Sequence, residues 1–152
     1  KLKSVSYKKI SKQKLHSEVI SNHVAVIAKN KKIREIVNHL QMKIIKTNKR
    51  ICVEGRDIAS KVLCKSPKYD LAFYFKCSNS VAAKRRWLDI KKSVPLRDVK
   101  SSLKKRTSLD KNRKNSPLVK VKDAILIRTD KLNKKQVLRK MSIHIEKLNL
   151  IN

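Results

Sequence analysis

Glycine is nearly missing from this sequence: 152 residues contain one, Gly55. Neither G-x-G-x-x-G nor G-x-x-x-x-G-K-[ST] can be written with a single glycine, so the dinucleotide fingerprint and the phosphate loop are both excluded. One glycine also cannot wrap backbone amides tightly round a triphosphate. Aromatic residues make up 4%, too few for a platform on which nucleic-acid bases stack. The three cysteines, Cys52, Cys64 and Cys77, are odd in number and contain no C-x-x-C pair, so neither a disulfide framework nor a zinc site follows. They read as reduced, partly buried thiols of a cytosolic protein. His16, His23, His39 and His144 show no metal-ligand spacing, and no metal site is expected. No apolar run approaches membrane-spanning length and no signal peptide is visible, which points to a cytoplasmic chain without membrane partners. The first residue is Lys1 rather than methionine, so an upstream piece is expected to be missing.

Acidic residues are scarce as well. Eleven Asp and Glu face 41 Lys and Arg, a formal net charge of +30. Such a field attracts polyanions non-specifically by counterion release. The lysines are scattered along the whole chain without an arginine–glycine tract, and lysine, isoleucine and asparagine dominate together. That pattern fits compositional drift better than a designed nucleic-acid surface. The length suits a single domain, and 40% hydrophobic residues supply one core.

Residues 1–17 are basic and weakly patterned, an end segment. Ile33, Ile36, Val37, Leu40, Ile44 and Ile45 recur at helical spacing and predict an amphipathic helix over 32–46. Ile51-Cys52-Val53 predicts a short buried strand running into Glu54-Gly55-Arg56-Asp57. Leu71-Ala72-Phe73-Tyr74-Phe75 lacks polar alternation and predicts a strand covered on both faces, as in a parallel sheet. Ser78 or Asn79 caps a helix over about 80–91 that ends in Lys91-Lys92. A polar helix follows over 96–106, then an irregular basic stretch to Pro117. Ala124-Ile125-Leu126-Ile127 predicts a third strand, and Asn133 caps a last helix with Val137, Met141, Ile145 and Leu148 in one stripe. This alternation predicts an α/β fold with a parallel sheet.

The run Val53-Glu54-Gly55-Arg56-Asp57-Ile58 resembles the E/D-G-R-D-[IM]-G-T motif of bacterial cytidylate kinases. Upstream, Ile33-Arg34-Glu35 resembles that family's V-R-E. Downstream, Ala83-Lys84-Arg85-Arg86, Arg106…Asp110…Arg113, Ser116-Pro117-Leu118 and Asp123-Ala124-Ile125-Leu126-Ile127 follow in the family's order. The similarity covers about residues 18–150. It implies the carboxy-terminal part of a nucleoside monophosphate kinase fold (a P-loop NTPase relative) with a basic helical lid at 93–117, in one domain over 1–152. It also implies transfer of the γ-phosphoryl group of ATP, with Mg²⁺, to CMP or dCMP.

The chemistry of these residues agrees with the resemblance. A nucleoside monophosphate needs a cationic partner for its phosphate, a bidentate reader for its base and polar groups for its ribose. Arginine's planar fork suits the first two, and an ionised aspartate accepts amine or hydroxyl protons. By resemblance, Arg34 and Asp57 read the cytosine ring and Arg56 binds phosphate. Arg106 and Asp110 sit at the ribose 2′-hydroxyl, Arg113 lines the monophosphate site, and Arg106 and Arg113 stand as the catalytic arginines. Arg85 and Arg86 match the paired arginines at the edge of the lid. Bland readings stand beside these. Asp57 can simply cap the turn beside Gly55, and Arg85 and Arg86 can be solvated face residues.

Several departures from the family weigh on the function. Ala59-Ser60 stands where the family has Gly-Thr, which threatens strain in the turn. A family serine that contacts cytosine falls near Ser21–Val24 without a secure equivalent. The lid string R-D-x-R-D-x-x-R reads Arg106-Thr107-Ser108-Leu109-Asp110-Lys111-Asn112-Arg113, with leucine in place of the central arginine. Leu109 is either a lost phosphoryl clamp or a residue packing the lid. With the phosphate loop also lacking, the expectation is a truncated or degenerate kinase, inactive alone. The alternative is a catalytically inactive basic remnant that binds nucleotide or RNA.

Overall fold

In the computed structural model, residues 18–28 and 30–148 are described. The basic segment assigned to 1–17 lies outside them. Helices α1 (Glu18–Ile27) and α2 (Lys31–Lys46) lead to a π-helical turn at Ile58–Val62. Strand β1 (Phe73–Lys76), helices α3 (Asn79–Asp89) and α4 (Leu96–Asn112), strand β2 (Ile125–Arg128) and helix α5 (Lys134–Glu146) complete the order. The mixed architecture with a parallel sheet agrees with the nucleoside monophosphate kinase fold that the sequence implies. Helix α1 has no counterpart among the expected elements.

The helix starts follow from local chemistry. The Asn30 side chain accepts from the Ile33 amide at 3.2 Å and opens α2. Ser78 does the same for α3 through Val81, and Asn133 with Gln136 forms a reciprocal capping box at α5. The α3–α4 connection turns through Lys91 and Lys92, whose φ of 53° and 58° lie in the left-handed region that glycine normally fills. The Trp87 indole N–H donates to the Val94 carbonyl at 2.9 Å and closes this corner.

β1 and β2 pair in parallel with Phe73 opposite Ile125 and Lys76 opposite Arg128. Two further backbone bonds extend the ladder, from Ile125 N to Ala72 O and from Thr129 N to Lys76 O. Past the strands, the Ser78 amide donates to Asp130 at 2.7 Å and ties their carboxyl ends together. Ala83 and Val99 are buried where α3 packs on α4, and Ile127 is the buried member of β2. A second cluster joins Ile45 of α2 to Val62 and Leu63, with Met42, Val53, Ile58 and Tyr69 round it.

Five expectations need correction. Ile51-Cys52-Val53 forms no strand. A ladder needs a neighbour for its amides and carbonyls, and among the described residues none runs beside this segment; Val53 joins the second cluster instead. The strands are not covered on both faces, since Phe75 is 49% and Leu126 41% exposed. Helix α4 runs on to Asn112 rather than ending at 106, which puts Arg106 and Asp110 on one face, four residues apart. On α2 Ile45 is buried, Arg34, Asn38, Leu40, Gln41 and Met42 are half-buried, and Ile33, Ile36, Val37 and Ile44 are exposed. Cys52 and Cys64 are also exposed rather than partly buried. No helix among the described residues is long and apolar enough to cross a membrane.

Candidate functional site

Gly55 is the hinge on which the site is built. A Cβ at this position would lie 2.5 Å from Ile58 Cγ1 and 2.9 Å from Ile58 Cδ1. Its role is therefore close packing of the 53–57 segment on the π-helical turn, and no glycine has positive φ. The same holds for the feared strain at Ala59-Ser60: neither residue is left-handed, and the Ser60 hydroxyl donates back to the Asp57 carbonyl at 3.4 Å.

This packing brings Arg56 and Asp57 against α2 and α4. Asp57 Oδ2 accepts from Arg34 Nη2, and Asp57 Oδ1 faces Arg113 Nη2 at 3.8 Å. Asp57 makes no side-chain cap bond to the turn that it precedes, so its carboxylate serves the arginines. Arg113 Nη1 reaches Asp110 at 3.5 Å, and Arg56 Nη1 lies 3.1 Å from the other oxygen of Asp110. The five residues make one unbroken chain, Arg34–Asp57–Arg113–Asp110–Arg56, with both carboxylates 7% exposed. Arg113 is fixed from behind as well, because its Nε–H donates to the Ser116 carbonyl. Ser116 is buried with φ 55°, a left-handed non-glycine residue before a proline, and that conformation aims its carbonyl at the guanidinium.

Arg106 completes the cluster. Burial lowers its pKa first, the neighbouring Arg56 lowers it further, Asp110 opposes the shift and Arg86 adds to it. Arg56 and Arg86 thus each lie within electrostatic reach of Arg106. Four arginines, Arg34, Arg56, Arg106 and Arg113, thus share two aspartates. Like charges gathered in a partly desolvated place repel unless an anion joins them. The cluster carries more positive than negative charge.

Arg34, Arg56, Asp57, Arg106, Asp110 and Arg113 are thereby brought together. Arg85 is not part of this set. Its guanidinium donates to Thr129 Oγ1 and to the Thr129 and Leu132 carbonyls at 3.2, 2.6 and 3.1 Å, bracing the turn after β2. The charge of its neighbour Arg86 is instead felt at Arg106. Leu109 is 37% exposed and lines an open groove with Ser101, Lys104, Lys105 and Ser108. Ser21–Val24 lie in α1. Two residues stand at the site without a role read from sequence: Ser116, quoted there only as part of a motif, whose carbonyl accepts from Arg113, and the unflagged Asn38, one turn after Arg34, whose Oδ1 is buried without a hydrogen-bond partner. The four-residue spacing from Arg34 was the available signal for Asn38.

The sequence matches the cytidylate kinase family over residues 3–147. The chain belongs to that family. A cytidylate kinase of Clostridium botulinum (strain Hall) is 35% identical over 132 residues, which cover 85% of this chain and 59% of that protein. A probable cytidylate kinase of Vairimorpha ceranae is 36% identical over 128 residues, covering 84% of this chain and 57% of the relative. A bifunctional pantoate ligase/cytidylate kinase of Prochlorococcus marinus (strain NATL2A) is 34% identical over 133 residues, covering 85% of this chain and 25% of the relative. The chain therefore spans less than two thirds of the length of these cytidylate kinase relatives. ATP and Mg²⁺, which the family implies, do not fit the groups present. Among the described residues no glycine-rich loop surrounds a lysine, and no three His, Cys, Asp or Glu side chains converge as metal ligands.

Proposed function

We propose that these residues form the acceptor-nucleotide side of a CMP or dCMP kinase, holding the monophosphate while its phosphate becomes the nucleophile. The observation that carries this is the arginine surplus over Asp57 and Asp110. A nucleotide phosphate dianion among Arg56, Arg106 and Arg113 relieves their mutual repulsion and gains charge-assisted hydrogen bonds. Asp57 accepts from the exocyclic amine of cytosine while Arg34 donates to the ring's acceptors. Asp110, at the other end of Arg113, takes a ribose hydroxyl. These contacts bind and orient, and neutralise charge at the attacking oxygen, which is most of what phosphoryl-transfer enzymes do.

Holding the donor ATP and its magnesium ion needs groups that the described residues do not supply. On this reading they bind CMP but do not transfer phosphate unaided. A coupled assay with ATP and CMP tests it, first on this chain and then on a fusion carrying a homologous glycine-rich loop. The expectation is turnover only in the fusion, falling about 10²–10³-fold in its Arg106→Ala variant. Turnover by this chain alone overturns the division of labour.

The net charge of +30 favours one other reading, a remnant that binds RNA or nucleotides without catalysis. Its signature is sequence-blind binding that weakens steeply with salt, whereas a CMP site saturates at one equivalent.

A further inference from the structure

Two buried side-chain atoms on α2 lack hydrogen-bond partners: Arg34 Nε and Asn38 Oδ1. One is a donor and the other an acceptor. The residues are four apart on one helix, so their side chains lie on the same face, and the tilt of helical side chains leans Asn38 back over the turn that carries Arg34. Native proteins leave few buried polar atoms unmatched, and a complementary pair on neighbouring turns calls for a reason. Helix formation does not supply one, because asparagine is a weak former inside a helix. Packing does not either, since an apolar side chain fills such a place better.

We propose that Asn38 is the positioning residue for Arg34. Its amide oxygen accepts the Arg34 Nε–H when a nucleotide base draws the Nη groups away from Asp57. In the present arrangement Arg34 is held at one end only, by Nη2 on Asp57. A guanidinium held at its tip pivots about that bond. Capture of Nε fixes its plane and presents both Nη donors edge-on to the base, the geometry that bidentate reading requires. Asp57 is then released to accept from the base while Arg113 still faces its other oxygen. The inference rests on the reading of this site as one for CMP.

Calorimetric titration of the intact protein with CMP and with ribose 5-phosphate, beside thermal melting, tests it. Ribose 5-phosphate engages the phosphate-binding arginines but has no base for Arg34. Asn38→Leu removes the acceptor at similar volume, and Asn38→Asp keeps it. The expected result is CMP binding weakened about tenfold or more in N38L, the effect of one lost bond to a charged group. Ribose 5-phosphate binding stays unchanged, the melting temperature falls by nothing, and N38D retains CMP affinity. If N38L does not fold, Asn38→Ala carries the same expectation. CMP binding indifferent to the substitution overturns the inference alone, as does a parallel loss of both ligands with a lower melting temperature. An unaltered protein that binds ribose 5-phosphate as tightly as CMP overturns the base-reading assignment and the inference with it.

Discussion

In the node that joins α2, the 53–58 segment and α4, Asp57 and Asp110 are each gripped by two arginines and shielded from solvent. In the two-stranded sheet, Phe75 and Leu126 stand open to water although their chemistry favours burial. The contrast inverts the usual division in which apolar residues go inside and charges outside. Charge enters the interior at the node because each carboxylate has cationic partners on both sides. On the sheet Phe75 stacks on Phe73, with ring centroids 6.4 Å apart, and still leaves about half of its surface in water. A node of this kind is sensitive to any single deletion, whereas an open strand face tolerates change.

Asp110→Ala tests the sensitive side and carries the largest expected effect. It leaves Arg56, Arg106 and Arg113 without their shared carboxylate, and breaking a buried pair in this way costs about 3–5 kcal/mol. Urea unfolding measures it, and added CMP is expected to recover part of the loss. A cost under about 1 kcal/mol, the range of exposed ion pairs, places the node at the surface in solution. Arg34→Ala comes next: CMP binding weakens by about 1–3 kcal/mol more than AMP binding, as for a lost bidentate base contact. Equal losses for the two nucleotides make Arg34 a purely structural partner of Asp57.

The tolerant side is tested by Leu126→Thr, which keeps a strand-forming residue on the open face. Unfolding free energy changes by less than about 0.5 kcal/mol, as for other exposed positions. A loss of several kcal/mol shows instead that this face is covered in the intact protein.

The smallest effect belongs to Tyr69, whose hydroxyl donates to Asp123 at 2.6 Å while Lys68 lies 3.2 Å from the other carboxylate oxygen. The bond raises the Tyr69 pKa to about 12, chiefly through Asp123, and lowers that of Asp123. A raised folded-state pKa means that the Tyr69 contribution is complete below its ordinary value of about 10 and fades as pH climbs toward the folded value. The lowered Asp123 pKa works in the other direction. Its contribution is complete above about 3.9 and is lost as pH falls through the lower folded value. Tyr69→Phe is therefore expected to flatten both limbs of the melting-temperature curve between pH 3 and pH 11, and unchanged limbs refute the pairing.

The helices that sequence made legible are those with both a period and a cap. Ser78 and Asn133 announced α3 and α5, and isoleucine spacing announced α2, although of those isoleucines Ile45 alone is buried. The segment 51–53 read as a strand because apolar content alone cannot say whether a partner lies beside it. Helix α4 was cut short because Thr107 and Ser108 are weak helix formers, and the tertiary bond from Leu118 N to Asp110 O that ends it at 2.7 Å is invisible in sequence. At the site, resemblance to a family pointed to Arg34, Arg56, Asp57, Arg106, Asp110 and Arg113. It did not reveal that Arg113 bridges both aspartates, which depends on the left-handed Ser116. Nor did it separate Arg85 from Arg86, whose adjacent positions on α3 point to different parts of the fold.

The claim at the centre is that the arginine surplus exists to hold a nucleotide phosphate. Calorimetric titration of the intact protein with CMP and with cytidine, at physiological salt, tests it most directly. The account predicts saturable binding of one equivalent of CMP, cytidine weaker by at least about tenfold, as when hydrogen bonds to charged groups are lost, and CMP binding sharply reduced by Arg106→Ala. Equal affinity for CMP and cytidine, or CMP uptake at many weak sites that vanishes with salt and ignores Arg106, contradicts it.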